Sequence, residues 1–301
     1  PLAPILTAVF NDARRTGALH PEILTGNISV LYKKKDRDDP RNYRPVTLLN
    51  SDYKILMRIL TARMNEAVVQ FVSSPQNGFV PDSFIAENLM LLKLIQAYVE
   101  DEDESAMFLF ADMEKAFDRA SWEFMEHALD ALGLGDDPNA DPASDAAPSF
   151  KDFVRLAYNH DAPPTRRIYA NGYLSAPFPI NSGVAQGCPL SPLLFLLVTE
   201  VITRLIIQDD QYRGVEIDGI RHKLSQFADD STFILSLGDE IRLRIHLKTW
   251  ELATGQLENA NKREGMLLGA LRRQPESAPD IVPDGWLKDG KSIRALGVPM
   301  G

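Results

Sequence analysis

Cysteine is almost absent: Cys188 is the only one in 301 residues. A single thiol excludes an internal disulfide and any cysteine-rich zinc cluster, which suits a reducing compartment. Long hydrophobic runs are missing too. The most apolar stretch, residues 192–207, is broken by Glu200 and Arg204, so it reads as a buried helix and not as a bilayer span. Positive charge is also scarce. Lys and Arg number 32 against 42 Asp and Glu, a formal net charge of −10, which counts against a surface uniformly adapted to nucleic-acid phosphates. Phosphate binding needs only local positive charge, however, and part of the acidity is gathered at residues 100–104 and 136–145.

With 45% hydrophobic and 25% charged residues, the composition is that of an ordinary globular protein, long enough for one large domain or two closely packed subdomains. Residues 2–15 have a helical pattern, followed by a strand at 28–32 and a polar, basic stretch at 33–44. Apolar residues Ile55, Leu56, Ile59, Leu60, Met64 and Val68 follow the period of an amphipathic helix over 52–72, and residues 83–99 repeat it. Residues 106–111 form a short apolar run that predicts a buried strand ending at Asp112. Ser121 offers an N-cap for a helix to about residue 132. Gly, Pro, Asp and Ala crowd residues 134–149, which predicts a mobile loop. A helix is expected near 150–158 and a strand pair near 168–180. Ser191-Pro192 marks a helix start, running to about residue 208. Asp218-Gly219 marks a hairpin turn, and a second hairpin should carry Ala228-Asp229-Asp230 between its arms. A final helix over 241–254 stops at Gly255.

Three carboxylates stand out by context. Asp112 ends an apolar strand, while Asp229 and Asp230 sit at a hairpin tip between apolar arms. Carboxylates at the ends of buried strands are costly unless they are paired, hydrogen-bonded or bound to metal. If the two strands are sheet neighbours, the three groups converge and could hold two magnesium ions roughly 4 Å apart, an arrangement suited to phosphoryl transfer. Taken by itself, an Asp-Asp pair in a tight turn reads more readily as ordinary turn chemistry.

Several segments taken in order resemble the reverse transcriptase of non-LTR (LINE-type) retrotransposons. Asn42-Tyr43-Arg44-Pro45-Val46-Thr47-Leu48-Leu49-Asn50, followed by Asp52-Tyr53-Lys54-Ile55-Leu56, resembles the fingers signature of that family. Gln76-Asn77-Gly78-Phe79-Val80 resembles its next block, and Phe110-Ala111-Asp112-Met113-Glu114-Lys115-Ala116-Phe117-Asp118 its first palm motif. Gln186-Gly187-Cys188-Pro189-Leu190-Ser191-Pro192-Leu193-Leu194-Phe195 is similar to the family's most distinctive string, and Phe227-Ala228-Asp229-Asp230 to its catalytic box. Asn259-Ala260-Asn261-Lys262 and Leu296-Gly297-Val298-Pro299-Met300-Gly301 resemble the last palm block and the primer grip. The likeness covers nearly the whole chain.

The resemblance implies an RNA-directed DNA polymerase with Asp112, Asp229 and Asp230 as metal ligands for two Mg2+, or Mn2+ in their place, and with Lys262 as the general acid toward pyrophosphate. It implies that Arg44, with Lys35 or Arg37, meets the incoming triphosphate, since a guanidinium forks onto phosphate oxygens. Met113 and Glu114 would offer backbone N–H groups to phosphates. Phe117, five residues past Asp112, would lie beneath the sugar and exclude a 2′-hydroxyl; as a core ring it would do neither. Gln186 and Gly187 would form a flat surface at the nascent base pair, and Leu296, Gly297 and Val298 would grip the primer. Cys188 reads as a packing residue. Some positions depart from the family: Asp82-Ser83 stands where Gly-Arg is usual, Ser182 and Ala185 where arginines are frequent, Arg263 in place of Ser and Ala295 in place of an aromatic residue. Fewer arginines mean weaker contacts to template or triphosphate.

The implied fold is α+β, a right-hand polymerase with an antiparallel palm sheet backed by helices on a β-α-β-β-α-β plan. Fingers are expected mainly in residues 1–105 and palm in 106–301, with fingers-associated segments at about 150–180, the thumb absent and the chain ending at the primer grip. The implied partners are an RNA template, a DNA primer, deoxynucleotides and the remaining polyprotein regions, a thumb and an endonuclease among them, with no membrane. The implied location is intracellular, in cytoplasm and nucleus for a eukaryotic retroelement. A group II intron-type or domesticated cellular reverse transcriptase, or a catalytically dead RNA-binding module, stays open as an alternative.

Overall fold

The computed structural model describes residues 2–33, 36–136, 149–288 and 291–300. The chain divides into two compact units, Pro1–Ala67 with Phe117–Phe195, and Val68–Ala116 with Leu196–Gly301.

The first unit is built on a sheet ordered Tyr43–Leu49, Gly26–Tyr32, Thr165–Ala170, Tyr173–Leu174, with Phe178–Pro179 also on Thr165–Ala170. The first pair is antiparallel, whereas Gly26–Tyr32 and Thr165–Ala170 run parallel. The expected strand pair near 168–180 is therefore three short strands. Helix Ala3–Thr16 ends on two arginines and Gly17, cations that favour a helix C-terminus. Helix Trp122–Ala131 begins where its cap was expected, the Ser121 hydroxyl accepting from the Phe124 N–H at 3.2 Å. Ser149 caps a helix that stops at Arg155, shorter than its apolar pattern implied. Of the expected 134–149 loop, residues 137–148 lie outside the described residues. On its near side, Asp136 pairs with the Lys151 ammonium at 2.9 Å.

The second unit holds a four-stranded antiparallel sheet in the order Glu264–Gly269, Ser105–Ala111, Asp230–Leu235, Leu224–Phe227. With helices Ser191–Ile207 and Asp239–Thr254 between its strands in chain order, it follows the β-α-β-β-α-β plan. Burial explains the helix Ile85–Asp101: its Leu92, Ile95 and Val99 pack with Ala106, Phe108, Ile234, Met266 and Leu268 from three strands. The hairpin at Asp218-Gly219 forms with both turn residues at positive φ, and helix Asp239–Thr254 stops at Gly255 in the left-handed region.

One expected turn is shorter than its sequence suggested, and one strand is new. The second hairpin has a two-residue turn, Ala228-Asp229, because Asp230 pairs with Phe227 as the first residue of its strand. Glu264–Gly269 is a strand that nothing in the sequence signalled. It is buried at every position but the first, so it lacks the alternation that marks a half-buried strand. Leu268 on that strand is fully buried. Leu268→Ala should cost about 2–5 kcal/mol, read as a lower denaturation midpoint of the purified chain.

Candidate polymerase active site

The carboxylates are placed by the central strand pair of the second unit. Ala111 lies opposite Ser231 in the antiparallel register. One residue further along, Asp112 leaves its strand at the end where Asp230 enters the neighbouring one, with Asp229 in the adjoining turn. The condition for convergence, that the two strands be neighbours, is met. Among the described residues no three His, Cys, Asp or Glu side chains stand ready as a metal cluster. Asp112 instead accepts from the Lys262 ammonium at 2.5 Å.

That ion pair is open to water, with side chains 61% and 42% exposed for Lys262 and Asp112. An exposed pair is worth only about 0–1 kcal/mol, so a divalent ion can displace it. Three hard carboxylates at one strand end suit Mg2+ or a similar cation. The residue types at this sheet end fit such a group, although their side chains do not stand together as a ready cluster among the described residues.

Two long-range contacts fix the loop that presents Lys262. The Asn259 N–H donates to the Asp112 carbonyl at 2.9 Å, and the Glu114 N–H to the Leu257 carbonyl at 2.8 Å. Glu114 thereby commits the amide expected to meet a phosphate, which corrects that expectation; Met113 is buried opposite Glu258 in the same bridge. Arg263, a departure from the family pattern, forks onto Glu258 at 2.7 and 2.6 Å. Sequence reasoning missed Glu258, which is buried; the five-residue spacing of an acid and an arginine was its only signal.

The polar base of the hairpin that carries Asp229 was missed as well. Buried Asn88 donates to Ser225 Oγ at 2.8 Å and to the Gln226 carbonyl at 2.9 Å, and Gln226 donates to Ser231 Oγ at 3.1 Å. These satisfied amides hold the two arms without leaving a buried polar group unpaired. Leu296 and Gly297 form the two-residue turn of the hairpin Ile293–Ala295 and Val298–Met300.

The other sequence-derived residues belong to the first unit. Arg44 is exposed on the strand Tyr43–Leu49. Arg37 lies over the Tyr32 ring, 4.7 Å from its centre, and Lys35 lies outside the described residues. Phe117 stacks on Phe195 with centroids 4.7 Å apart and planes 17° apart. Its carbonyl accepts from the Val184 N–H at 2.7 Å. The Gln186 carbonyl accepts from the Thr47 N–H at 3.0 Å, tying the distinctive string to the strand Tyr43–Leu49. Buried phenols brace the same turn: Tyr158 meets Ser191 Oγ at 3.1 Å, and Tyr53 donates to Cys188 Sγ at 3.5 Å. Burial pushes both phenols up from their ordinary range, so both stay neutral. Cys188 is buried, as expected of a packing residue.

A family model described as "Reverse transcriptase (RNA-dependent DNA polymerase)" matches residues 32–299. The chain belongs to the reverse transcriptase family. Reverse transcriptases act on nucleic-acid templates and use divalent metal ions. Over 99% of its length the chain is 29% identical to the Transposon TX1 uncharacterized 149 kDa protein of Xenopus laevis. Over 75% of its length it is 27% identical to the Pol polyprotein from the type-2 retrotransposable element R2DM of Drosophila melanogaster. It spans about a fifth of both, 21% and 20%. These retrotransposon relatives agree with the resemblance to non-LTR elements. Among solved structures, a Candida tropicalis telomerase truncated of its C-terminal domain superposes with a TM-score of 0.56 at 12% identity, covering 83% of this chain and 51% of that one. At that identity the likeness shows the polymerase fold alone, which is the α+β architecture expected.

Gly187 is a position in this reverse transcriptase that a side chain would strain. Its φ is 119°, and a Cβ there would stand 2.6 Å from the Thr47 carbonyl oxygen. Gly187→Ala should cost about 1–3 kcal/mol through backbone strain, seen as a lower melting temperature.

Proposed function

We propose that this chain is the polymerising core of a retrotransposon reverse transcriptase, adding deoxynucleotides to a primer 3′-hydroxyl along an RNA template. The observation that carries the reading is the antiparallel pairing of Ser105–Ala111 with Asp230–Leu235, which sets Asp112 at the same sheet end as Asp229 and Asp230. Asp112, Asp229 and Asp230 would hold two Mg2+ ions, which supply activation of the primer hydroxyl and neutralisation of charge on the triphosphate.

The protein's own groups do the rest. Lys262, paired with Asp112, is the general acid toward departing pyrophosphate. Arg44, aided by Arg37 and Lys35, forks onto the triphosphate, and Met113 contributes to the phosphate-facing turn. Phe117, braced by Phe195, forms a wall against a 2′-hydroxyl. Gln186 and Gly187 offer a smooth surface to the nascent base pair, and the turn at Leu296-Gly297-Val298 supports the primer strand. Other regions of a polyprotein, a thumb and an endonuclease, complete the machine, which works inside the cell.

The test is primer extension on an RNA template with the polyprotein region downstream of this chain restored. Incorporation should require Mg2+ and stop with a chelator. Asp229→Asn should lower turnover at least about a thousandfold while the protein stays folded, since metal positioning contributes several kcal/mol to the barrier. A variant retaining more than a tenth of the turnover would sink the assignment of the carboxylates.

Phe117→Ala separates a sugar wall from a core ring. As a wall, its loss should lower the deoxy-to-ribo ratio of kcat/KM, chiefly by faster ribonucleotide use. As a core ring only, its loss should cost about 3–5 kcal/mol of stability and depress both substrates together. Paired kinetics and a melting curve decide between them.

A further inference from the structure

The hairpin that carries Asp229 turns at Ala228, a non-glycine residue with φ at 58°. A side chain in that conformation needs its surroundings to hold it there. What holds it is the side chain of Gln76, 152 residues away and 3% exposed. Its Oε1 accepts from the Ala228 N–H at 2.9 Å, and its Nε2 donates to the Ala228 carbonyl at 3.2 Å. The carboxamide thus does for one residue what a neighbouring strand does, meeting both the donor and the acceptor of a single peptide position. The same Oε1 accepts from the Gly78 N–H at 2.8 Å, so the carboxamide is locked by its own segment before it grips the turn.

The segment around Gln76 is shaped for this approach. The Gln226 N–H donates to the Pro75 carbonyl at 2.8 Å, and the Asn77 N–H to the Gln226 carbonyl at 3.0 Å, aligning residues 75–77 along the arm that leads into the turn. At Gly78 a Cβ would stand 2.1 Å from the Ala228 nitrogen. Only a residue without a side chain lets the backbone lie so near.

We propose that Gln76 is a positioning residue for the carboxylate site. It locks the backbone of Ala228 and so fixes the aim of the Asp229 carboxylate, without touching substrate or metal. This rests on the reading of Asp229 as a metal ligand. A polar group behind a metal ligand usually changes affinity about 10–100-fold when removed. No other side chain with Gln's length presents a planar acceptor and donor together: Glu keeps the accepted bonds and loses the donated one, and Met loses all three.

The experiment uses the whole chain with Gln76→Met, Gln76→Glu and Leu243→Ala, the last a core truncation on helix Asp239–Thr254 that serves as a control for general destabilisation. Two readouts are taken, amide hydrogen exchange at Ala228 and Mn2+ affinity by electron paramagnetic resonance. Gln76→Met should raise exchange at Ala228 at least about tenfold over the change at Phe233 and weaken Mn2+ binding about 10–100-fold. Gln76→Glu should fall between it and the wild type in both, and it replaces the Met variant if that chain does not fold. Leu243→Ala should leave Mn2+ affinity within about twofold. Equal losses of affinity in Leu243→Ala and Gln76→Met, or unchanged exchange at Ala228, would overturn the proposal. A wild type that binds no Mn2+ would instead remove the metal reading and with it this role of Gln76, a result told apart by the exchange data, which would still show the turn held.

Discussion

The hydrogen-bonded pairing of Ser105–Ala111 with Asp230–Leu235 is the constraint on which the candidate chemistry depends. An antiparallel ladder makes the end of one strand the beginning of the next, so a carboxylate just past Ala111 and another just before Ser231 must share one end of the sheet. A slip of one residue would turn every side chain of a strand to the other face. The register is secured by burial, since Phe108 and Ile234 of the two strands belong to one core cluster with Leu268. Apolar packing thus sets where charged groups can meet.

Polar contacts in the same unit are of two kinds. Glu258 and Arg263 form a forked pair whose carboxylate is 3% exposed; breaking such a pair leaves a buried charge, so it acts as a fixed strut. The Asp112–Lys262 pair is open to solvent and weak. One acid is thereby immobilised for structure while the other remains available to a ligand. The loop joining them, residues 258–263, serves both, which is how a departure from the family pattern at Arg263 supports the lysine next to it.

The acidic balance of the chain is compatible with this division. Several acids are engaged locally, Asp136 with Lys151 and Asp209 with Arg242 and His246, and hydrogen bonds from these partners hold both carboxyls below the usual range. Arg44 and Arg37, by contrast, are exposed. A net charge of −10 says little about a surface when acids and bases are distributed in this way.

Much of the local structure was legible in the sequence. Helix Ser51–Phe71, the Ser121 cap, the start at Ser191 and the turn at Asp218-Gly219 each have a signature within a few residues: apolar period, capping hydroxyl, or a residue tolerant of positive φ. The motif strings likewise pointed to the family. Tertiary structure alone decided that Asp230 is a strand residue, that Glu264–Gly269 joins the sheet, that Lys262 reaches Asp112 across 150 positions, and that Gln76 grips Ala228. Apart from the Asp230–Phe227 pairing, each of these is a hydrogen bond or ion pair between groups distant along the chain. Such bonds leave no mark on local periodicity, because the partner's position is set by how apolar faces pack.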